Sequence, residues 1–346
     1  MIVAYTLSKD KKLDKIEMNA GDSIPEDTVW LDMFEPSLEE EKTIQDELKI
    51  DIPTREEMDK IEVLSPFYKE DDAYYMTVTA IHKIDKEYPE GTAIIFILHK
   101  DCLLTLRYTR PKAFTYFTSR FVRNPKLYPS PEVILEGLLE SLIHSIADVL
   151  EKTGNEIDQL LIDVFEKPAD IAKYSRNLKT KKKTLFEYED KVEGNYYTSL
   201  IKRVGRTGNL ISKIRESLVS INRMFIFFGQ IEESQFISKK EHRARFRNLI
   251  REIHSITEYA NFLSQRNSFL LDATLGMLNV EQNMIIKVFT VAAAVFLPPT
   301  LIASIYGMNF IHMPETSWMF GYPFALVLIV LSAILPYHYF KRKGLL

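Results

Sequence analysis

Val288-Phe-Thr-Val-Ala-Ala-Ala-Val-Phe-Leu-Pro-Pro-Thr-Leu-Ile-Ala-Ser-Ile305 contains no Lys, Arg, Asp or Glu, and it runs straight into Tyr306-Gly307-Met308-Asn309-Phe310. A second uncharged stretch spans Tyr322 to Phe340. Each approaches the ~20 residues needed to cross ~30 Å of hydrocarbon. The alternative, a pair of buried core helices, does not account for a polar Gly-Met-Asn tripeptide closing the first stretch. A plain anchor has no use for that tripeptide, whereas a ring of carbonyl and amide oxygens at a channel mouth does.

Working outward, charge sets the expected topology. Lys341-Arg342-Lys343 follows the second stretch and Lys287 precedes the first, while Asn309 to Gly321 holds no Lys or Arg. Positive flanks stay inside, so both termini are expected in the cytoplasm and the short loop outside. Trp318, Phe320 and Tyr322 mark the outer interface, and Tyr337 and Tyr339 the inner one. The N-terminus lacks a basic region followed by an apolar core, so no cleaved leader is expected. A single Cys102 excludes a disulfide framework and fits a reducing compartment.

The chain has 346 residues, with 44 Lys and Arg against 48 Asp and Glu, a net charge of −4. That balance argues against a nucleic-acid partner. Up to about residue 284 the chain is charged and reads as an α/β domain over residues 1–130, then a helical region over 131–239. Val3–Leu7, Val29–Asp32, Ala73–His82, Thr92–Leu98 and Cys102–Tyr108 are rich in β-branched and aromatic residues and read as strands. Ser37 with Glu40, and Thr54 with Glu57, match the capping box. Lys112–Arg123 reads as a helix, and Ser130-Pro131 as an N-cap followed by a favourable first helical residue. Breaks are expected near Pro168, near Gly194 and over 229–238, with Gly205 and Gly208 loosening a helix rather than ending it.

Ser238-Lys239-Lys240-Glu241 is a further capping box. From Lys239 to Leu297 there is no Pro and one Gly, Gly276. The pattern predicts one helix over 240–309, about 100 Å long at ~1.5 Å per residue, its last part (about 285–309) crossing the membrane. A helix of that length needs lateral partners, which implies an oligomer. One face carries Asn283, Ile286, Thr290, Ala293, Leu297, Thr300 and Ser304; extended backwards it meets Asn279, Gly276 and Asp272. The opposite face, through Val288, Val291, Val295, Ile302 and Ile305, is bulky and apolar. A polar-dotted seam suits an interior lined by symmetry-related copies, and it also suits ordinary small-residue helix packing. Pro298-Pro299 either shapes a pore or packs as a tolerated kink. The remaining pieces are an external loop over 310–321, a second membrane helix over 322–340 and a basic tail over 341–346.

Tyr306-Gly307-Met308-Asn309-Phe310, followed by Met313-Pro314-Glu315 and Trp318, closely resembles the CorA family of magnesium transporters. Asn279-Val-Glu-Gln-Asn283, Phe296-Leu-Pro-Pro-Thr-Leu-Ile302 and Tyr339-Phe-Lys-Arg-Lys343 resemble its proteobacterial branch. The strong match covers Phe269 to the end. The resemblance implies a funnel-shaped homopentamer: an αβα cytoplasmic domain, long stalk helices, five first membrane helices around the pore and the second helices outside. It implies residence in the bilayer of the cell inner membrane, passive influx of Mg²⁺ with Co²⁺ and Ni²⁺ as further substrates, no cofactor and no catalytic residues. Mg²⁺ is then both substrate and regulatory ligand.

The same resemblance assigns Gly307, Met308 and Asn309 to the selectivity filter. Mg²⁺ gives up water reluctantly, and a neutral ring of amide oxygens accepts hydrogen bonds from its waters without stripping them. Asn283 and Thr300 match polar pore rings; Ile286, Phe289 and Leu297 fall at the hydrophobic constriction. Asp272 falls at the cytoplasmic mouth, or is simply a solvated helix position, and Lys287 joins the basic tail around that mouth, as a cation barrier or a lipid anchor. Glu315 stands in the outer loop. Relatives usually carry an acidic residue after the motif's Phe, where this chain has Ile311, so weaker capture of dilute substrate is expected. Regulatory metal candidates are Asp71 and Asp72, and the group Asp163, Glu166 and Asp170, all of which also fit plain solvated surface acids.

No phosphate-binding G-x-x-x-x-G-K-[ST] loop is present. None is needed: a divalent cation gains about 2 × 2.3 kcal/mol per 100 mV of inside-negative potential, roughly a thousandfold concentration ratio. Two rivals stay open. A zinc-transporting branch shares the tripeptide but typically continues with a Gly-Gly-Ile-Pro-like loop, unlike Met313-Pro314-Glu315. A non-conducting membrane-tethered coiled-coil scaffold leaves the seam and Asn309 without a purpose. The histidines are scattered, with no H-E-x-x-H or Cys/His metal spacing, so an enzyme is not expected.

Overall fold

The computed structural model describes residues 1–8, 12–58, 66–70, 72–82, 89–100, 102–166, 196–231, 240–308, 313–314 and 318–343. The chain divides into two compact units, Met1–Leu271 and Asp272–Leu346.

The first unit is built on a seven-stranded sheet. The strands are β1 (Ile2–Leu7), β2 (Leu13–Met18), β3 (Thr28–Phe34), β4 (Phe67–Glu70), β5 (Ala73–His82), β6 (Glu90–His99) and β7 (Cys102–Arg107). Their spatial order is β2-β1-β3-β7-β6-β5-β4. Neighbours pair antiparallel except β3 with β7, which run parallel with Leu31 opposite Leu104 and Met33 opposite Leu106. Because side chains alternate along a strand, the sheet has two apolar faces. One carries Ile2, Ala4, Leu31, Met33, Tyr75, Ile95, Ile97, Leu104 and Leu106 and packs with Ile44 of α1 (Leu38–Leu48). The other is aromatic: Tyr5 stacks on Trp30 with centroids 4.5 Å apart, and Trp30 meets Phe117 edge-on at 5.6 Å.

Phe117 comes from α2 (Lys112–Arg123), which α3 (Pro131–Phe165) covers. Gly137 makes that close approach possible. A β-carbon there would collide with the ring of Phe117 and lie 2.7 Å from Cε1 of Tyr128. Both rings are buried and cannot swing away. Gly137→Ala should therefore destabilise this unit by about 1–3 kcal/mol, the usual cost of overpacking. Thermal unfolding of the intact chain, followed by the emission of buried Trp30, reads this, and an unchanged transition would show that α2 and α3 can part cheaply.

Helices α4 (Tyr196–Ile231) and α5 (Lys240–Tyr306) complete the described elements of this unit, α5 continuing into the second. On β5, the Ser217 hydroxyl donates to the Thr79 carbonyl at 2.5 Å, and Thr79 N–H donates to Ser220 Oγ at 3.0 Å. The α3–α5 seam carries Glu140–Arg245 at 3.6 Å, His144–Glu252 at 3.3 Å and Asp158–Arg266. Thr207 of α4 donates to Asn267 Oδ1 of α5 at 2.6 Å. In the second unit the last part of α5 is followed by α6 (Gly321–Arg342).

Several local expectations are met closely. The Lys112–Arg123 helix and the Ala73–His82 strand have the expected bounds. Ser37 and Glu40 form both bonds of the capping box, and the Glu57 carboxylate accepts from Thr54 N–H at 2.9 Å. Gly205 and Gly208 lie within continuous helix. Of the expected break over 229–238, residues 229–231 are still helical and 232–238 lie outside the described residues, as do Pro168, Gly194 and the Ser238 capping box.

Others need correction. Ser130 occupies the N-cap of α3, yet its side chain makes no capping bond; its carbonyl accepts from Ile134 N–H at 3.1 Å instead. The long helix ends at Tyr306 rather than 309. Gly307 N–H still reaches the Ala303 carbonyl at 3.0 Å, but Met308 N–H turns to Ile305 at 3.2 Å, the tighter spacing with which helices close. Strands β2 and β4 were not expected.

Candidate functional site

In the second unit α5 runs uninterrupted through Pro298-Pro299 to Tyr306. Asn283, Ile286, Phe289, Thr290, Ala293, Leu297, Thr300 and Ser304 are all exposed in the single chain. The bulky face is better covered: Val291 is buried, and Val295 and Ile302 are half-buried. The seam is exposed along its length, and Val288 and Ile305 of the bulky face, with Phe296 and Leu301, are exposed as well, as expected of a span that meets lipid and neighbouring copies. Phe289 is 71% exposed and Leu297 66%, values no aqueous protein surface tolerates in series.

Two hydroxyls on the seam have a defined polarity. Thr290 Oγ1 donates to the Ile286 carbonyl and Thr300 Oγ1 to the Phe296 carbonyl, each at 2.7 Å. With the proton turned back into the helix, each oxygen presents lone pairs outward and acts as an acceptor. A row of acceptors is the right complement to the water shell of a cation.

At the end of the helix Gly307 and Met308 are both exposed; Asn309, Ile311 and Glu315 lie outside the described residues. Beyond the loop, Trp318 packs its ring against Phe320 and Phe324, each at 6.1 Å. At the far end of α6, Lys341 Nζ lies over the Tyr337 ring at 5.9 Å and Lys343 Nζ over Tyr339 at 5.4 Å. These are the aromatic and basic residues expected at two interfaces. Asp272 and Lys287 are exposed on α5.

The regulatory-metal candidates fare differently. Asp71 and Asp170 lie outside the described residues, Asp72 is exposed, and Glu166 is the exposed C-cap of α3. Asp163 is engaged: its Oδ2 accepts from Arg203 Nη1 at 2.9 Å and its Oδ1 from Gln159 at 3.2 Å. A metal there has to displace a guanidinium. Among the described residues no group of three or more His, Cys, Asp or Glu converges as a metal site.

Three charged residues passed over at the sequence level lie deep in the first unit. Asp32 and Arg107 form a buried pair across the parallel strands, with Arg107 Nε to Oδ1 at 2.9 Å and Nη2 to Oδ2 at 2.8 Å. Glu136, within α3, is 4% exposed. Burial pushes its carboxyl from 4.5 up to about 7; Arg245 pulls it down, and Glu132 and Glu140 add to the rise. An acid inside a helix looks ordinary in sequence, and only its apolar neighbours at helical spacing hinted at burial.

A charged α/β unit with long helices and two span-length apolar helices, whose most apolar windows are 6% and 0% buried within the chain, defines a two-span membrane protein. A family model described as CorA-like Mg2+ transporter protein matches residues 25–342, and the chain belongs to that family, whose members are ion transporters rather than enzymes. It is 31% identical over 344 residues to the magnesium transport protein CorA of Pasteurella multocida, and 29% identical over 352 residues to that of Salmonella typhimurium, with 99% of each chain covered in both cases. Its fold is similar to the complete structure of the CorA magnesium transporter from Methanocaldococcus jannaschii, with a TM-score of 0.71 at 16% identity over 100% of this chain and 99% of that one. The ZntB cytoplasmic domain from Vibrio parahaemolyticus is similar to a lesser degree, with a TM-score of 0.55 at 13% identity over 80% of this chain and 97% of that one. At such identities the structural likenesses speak for the fold alone.

Proposed function

We propose that this chain is a passive channel for Mg²⁺, driven inward by the membrane potential, with both termini in the cytoplasm and the two helices in the cell inner membrane. It works as a homopentamer, the first span of each copy facing a shared axis. The observation that carries this reading is the polar-dotted seam of α5, which runs from Asn283 to Ser304, is exposed in the single chain and includes two hydroxyls turned outward as acceptors. Five copies turn that seam into stacked acceptor rings, closed by Gly307, Met308 and Asn309. Ile286, Phe289 and Leu297 form the apolar constriction, where dewetting stops the ion unless the pore widens.

Selection at Asn309 acts on the hydrated ion, so Co²⁺ and Ni²⁺, of similar hydrated size, pass as well. Asp272 gathers hydrated cations at the inner mouth, opposed by Lys287 and the tail. Glu315 alone concentrates cations outside, since Ile311 brings no charge. Regulation by bound Mg²⁺ falls to Asp71, Asp72, Glu166 and Asp170, and to Asp163 once Arg203 releases it. Transport of Zn²⁺ is the second reading, since the zinc branch shares the Gly-Met-Asn tripeptide, although Met313-Pro314-Glu315 departs from its usual loop.

The test is ion entry into proteoliposomes under an inside-negative potential, with a trapped indicator. Wild type should admit Mg²⁺, Co²⁺ and Ni²⁺ but not Zn²⁺, and Asn309→Ala should lower Mg²⁺ entry at least tenfold, about 1.4 kcal/mol or more. No entry in wild type at low internal Mg²⁺ revives the scaffold. Equal entry in both proteins removes Asn309 from the filter, and preferential Zn²⁺ entry moves the chain to the zinc branch.

A further inference from the structure

We infer that a cleft in the first unit, lined by His82, Arg110 and Lys112, binds a phosphoryl group, either orthophosphate or the terminal phosphate of a nucleotide. The site lies outside the ion path, and the inference does not rest on the transport reading. The cleft has a volume of 140 Å³. That is roughly ten times the ~10–15 Å³ that admits one water. It opens between the end of β5, the loop from β7 to α2, and helices α3 and α4.

Its walls are one-signed. Arg110, Lys112 and His82 contribute donors, and among the described residues no Asp or Glu lines it. Among the described residues none of the three is in an ion pair. Arg110, though exposed, has its guanidinium carbon over the Phe34 ring, 4.3 Å from the centroid. Stacking uses the π face and leaves the in-plane N–H groups free for an anion. His82 supplies a ring N–H in either tautomer.

The cleft also receives the start of α2, whose N-cap Pro111 and first residue Lys112 are both in its wall. Pro111 has no capping side chain, and among the described residues the N–H groups of Lys112 and Ala113 have no acceptor, whereas Phe114 N–H returns to the Pro111 carbonyl at 3.1 Å. Ala113 is fully buried. N–H groups left without acceptors at the positive end of a helix favour an anion. Opposite them, Leu142, Ile146 and Val149 make an apolar wall, which keeps the local dielectric low and strengthens each charge. Ser145 also lines the cleft, its hydroxyl without a partner among the described residues, while that of Ser217 is spent on Thr79. A tetrahedral group with several acceptor oxygens satisfies these converging donors; the volume leaves no room for a nucleoside, which would remain outside.

The experiment is calorimetric titration of the intact protein in detergent, free of divalent ions, with orthophosphate, ATP and adenosine. One saturable site per chain for orthophosphate or ATP, with adenosine silent, is expected. Binding of orthophosphate identifies the free ion as the ligand, and binding of ATP alone identifies the nucleotide. Arg110→Gln with Lys112→Gln should weaken binding at least tenfold, and Lys126→Gln, an exposed lysine off the cleft, should leave it unchanged. Should the double variant melt early, the exposed Lys112→Glu carries the test by the same criterion. Absence of binding by both phosphates, equal affinity in the cleft variants, or adenosine binding as well as ATP overturns the inference.

Discussion

Asp32→Ala should cost the first unit about 3–5 kcal/mol, the largest effect expected of any single substitution in this chain. Arg107 and Asp32 expose only 10% and 8% of their side chains. The guanidinium is held from every side: Asp32 takes Nε and Nη2, the Thr109 carbonyl takes Nη1 at 2.8 Å, and the rings of Phe34 and Phe114 lie 5.0 and 4.7 Å away. Asp32 Oδ1 also accepts from Thr105 Oγ1 at 2.9 Å, which in turn accepts from the Trp30 indole at 3.1 Å. Removing the carboxylate strands a buried cation and the Thr105 hydroxyl at once. The cost is that of the abandoned charge, not the net worth of the pair, so Asp32→Ala combined with Arg107→Met should recover much of the loss. Trp30 is a direct reporter of this network. In a Trp318→Phe background it is the remaining tryptophan, and its red shift on heating or in denaturant follows the first unit alone. A double variant no better than the single would assign the cost to lost packing at position 32 instead.

Glu136 should make the same unit more stable in mild acid than in mild alkali. Its carboxyl titrates about 7 in the folded chain and 4.5 ordinarily. Between those values the folded chain keeps a proton that the unfolded chain has lost. Stability from this group is therefore complete below 4.5 and falls as pH rises to about 7, by about 3 kcal/mol at most. The facing charges set the sign: Arg245 of α5 favours the carboxylate, while burial and the neighbouring Glu132 and Glu140 oppose it. Glu136→Gln should flatten the dependence of Trp30 unfolding on pH between 5 and 8 and raise stability at pH 8. A slope that survives the substitution would place its origin in other groups.

What the chain discloses before folding, and what it withholds, follows physical lines. The central strands β5, β6 and β7 are readable because β-branched and aromatic residues fill both faces of a doubly covered sheet. Strands β2 and β4 are not readable: Leu13-Asp-Lys-Ile-Glu-Met18 alternates charge on an exposed edge, and Phe67-Tyr-Lys-Glu70 is four residues long. Both are edge strands whose conformation is imposed by β1 and β5, not by their own composition. The spans and the tripeptide after Tyr306 stood out because a membrane tolerates so few patterns. The engagement of Asp163 did not, because Arg203 arrives from 40 residues away on another helix. The long helix stops short of its expected end because hydrophobic periodicity has no signal for the turn that Gly307 and Met308 make.

The sheet order also governs how the chain comes into being. β1 to β3 form one local antiparallel group and β4 to β7 another, and the two meet through the parallel β3–β7 pair, where Trp30 bonds Thr105 across 75 positions. Local hairpins close quickly and distant pairings slowly. A nascent chain cannot complete its sheet until Arg107 has left the ribosome, yet everything the sheet needs emerges well before the apolar spans do. The soluble unit thus has the time of synthesis of two long helices in which to close its slowest seam, before a membrane claims the rest of the chain.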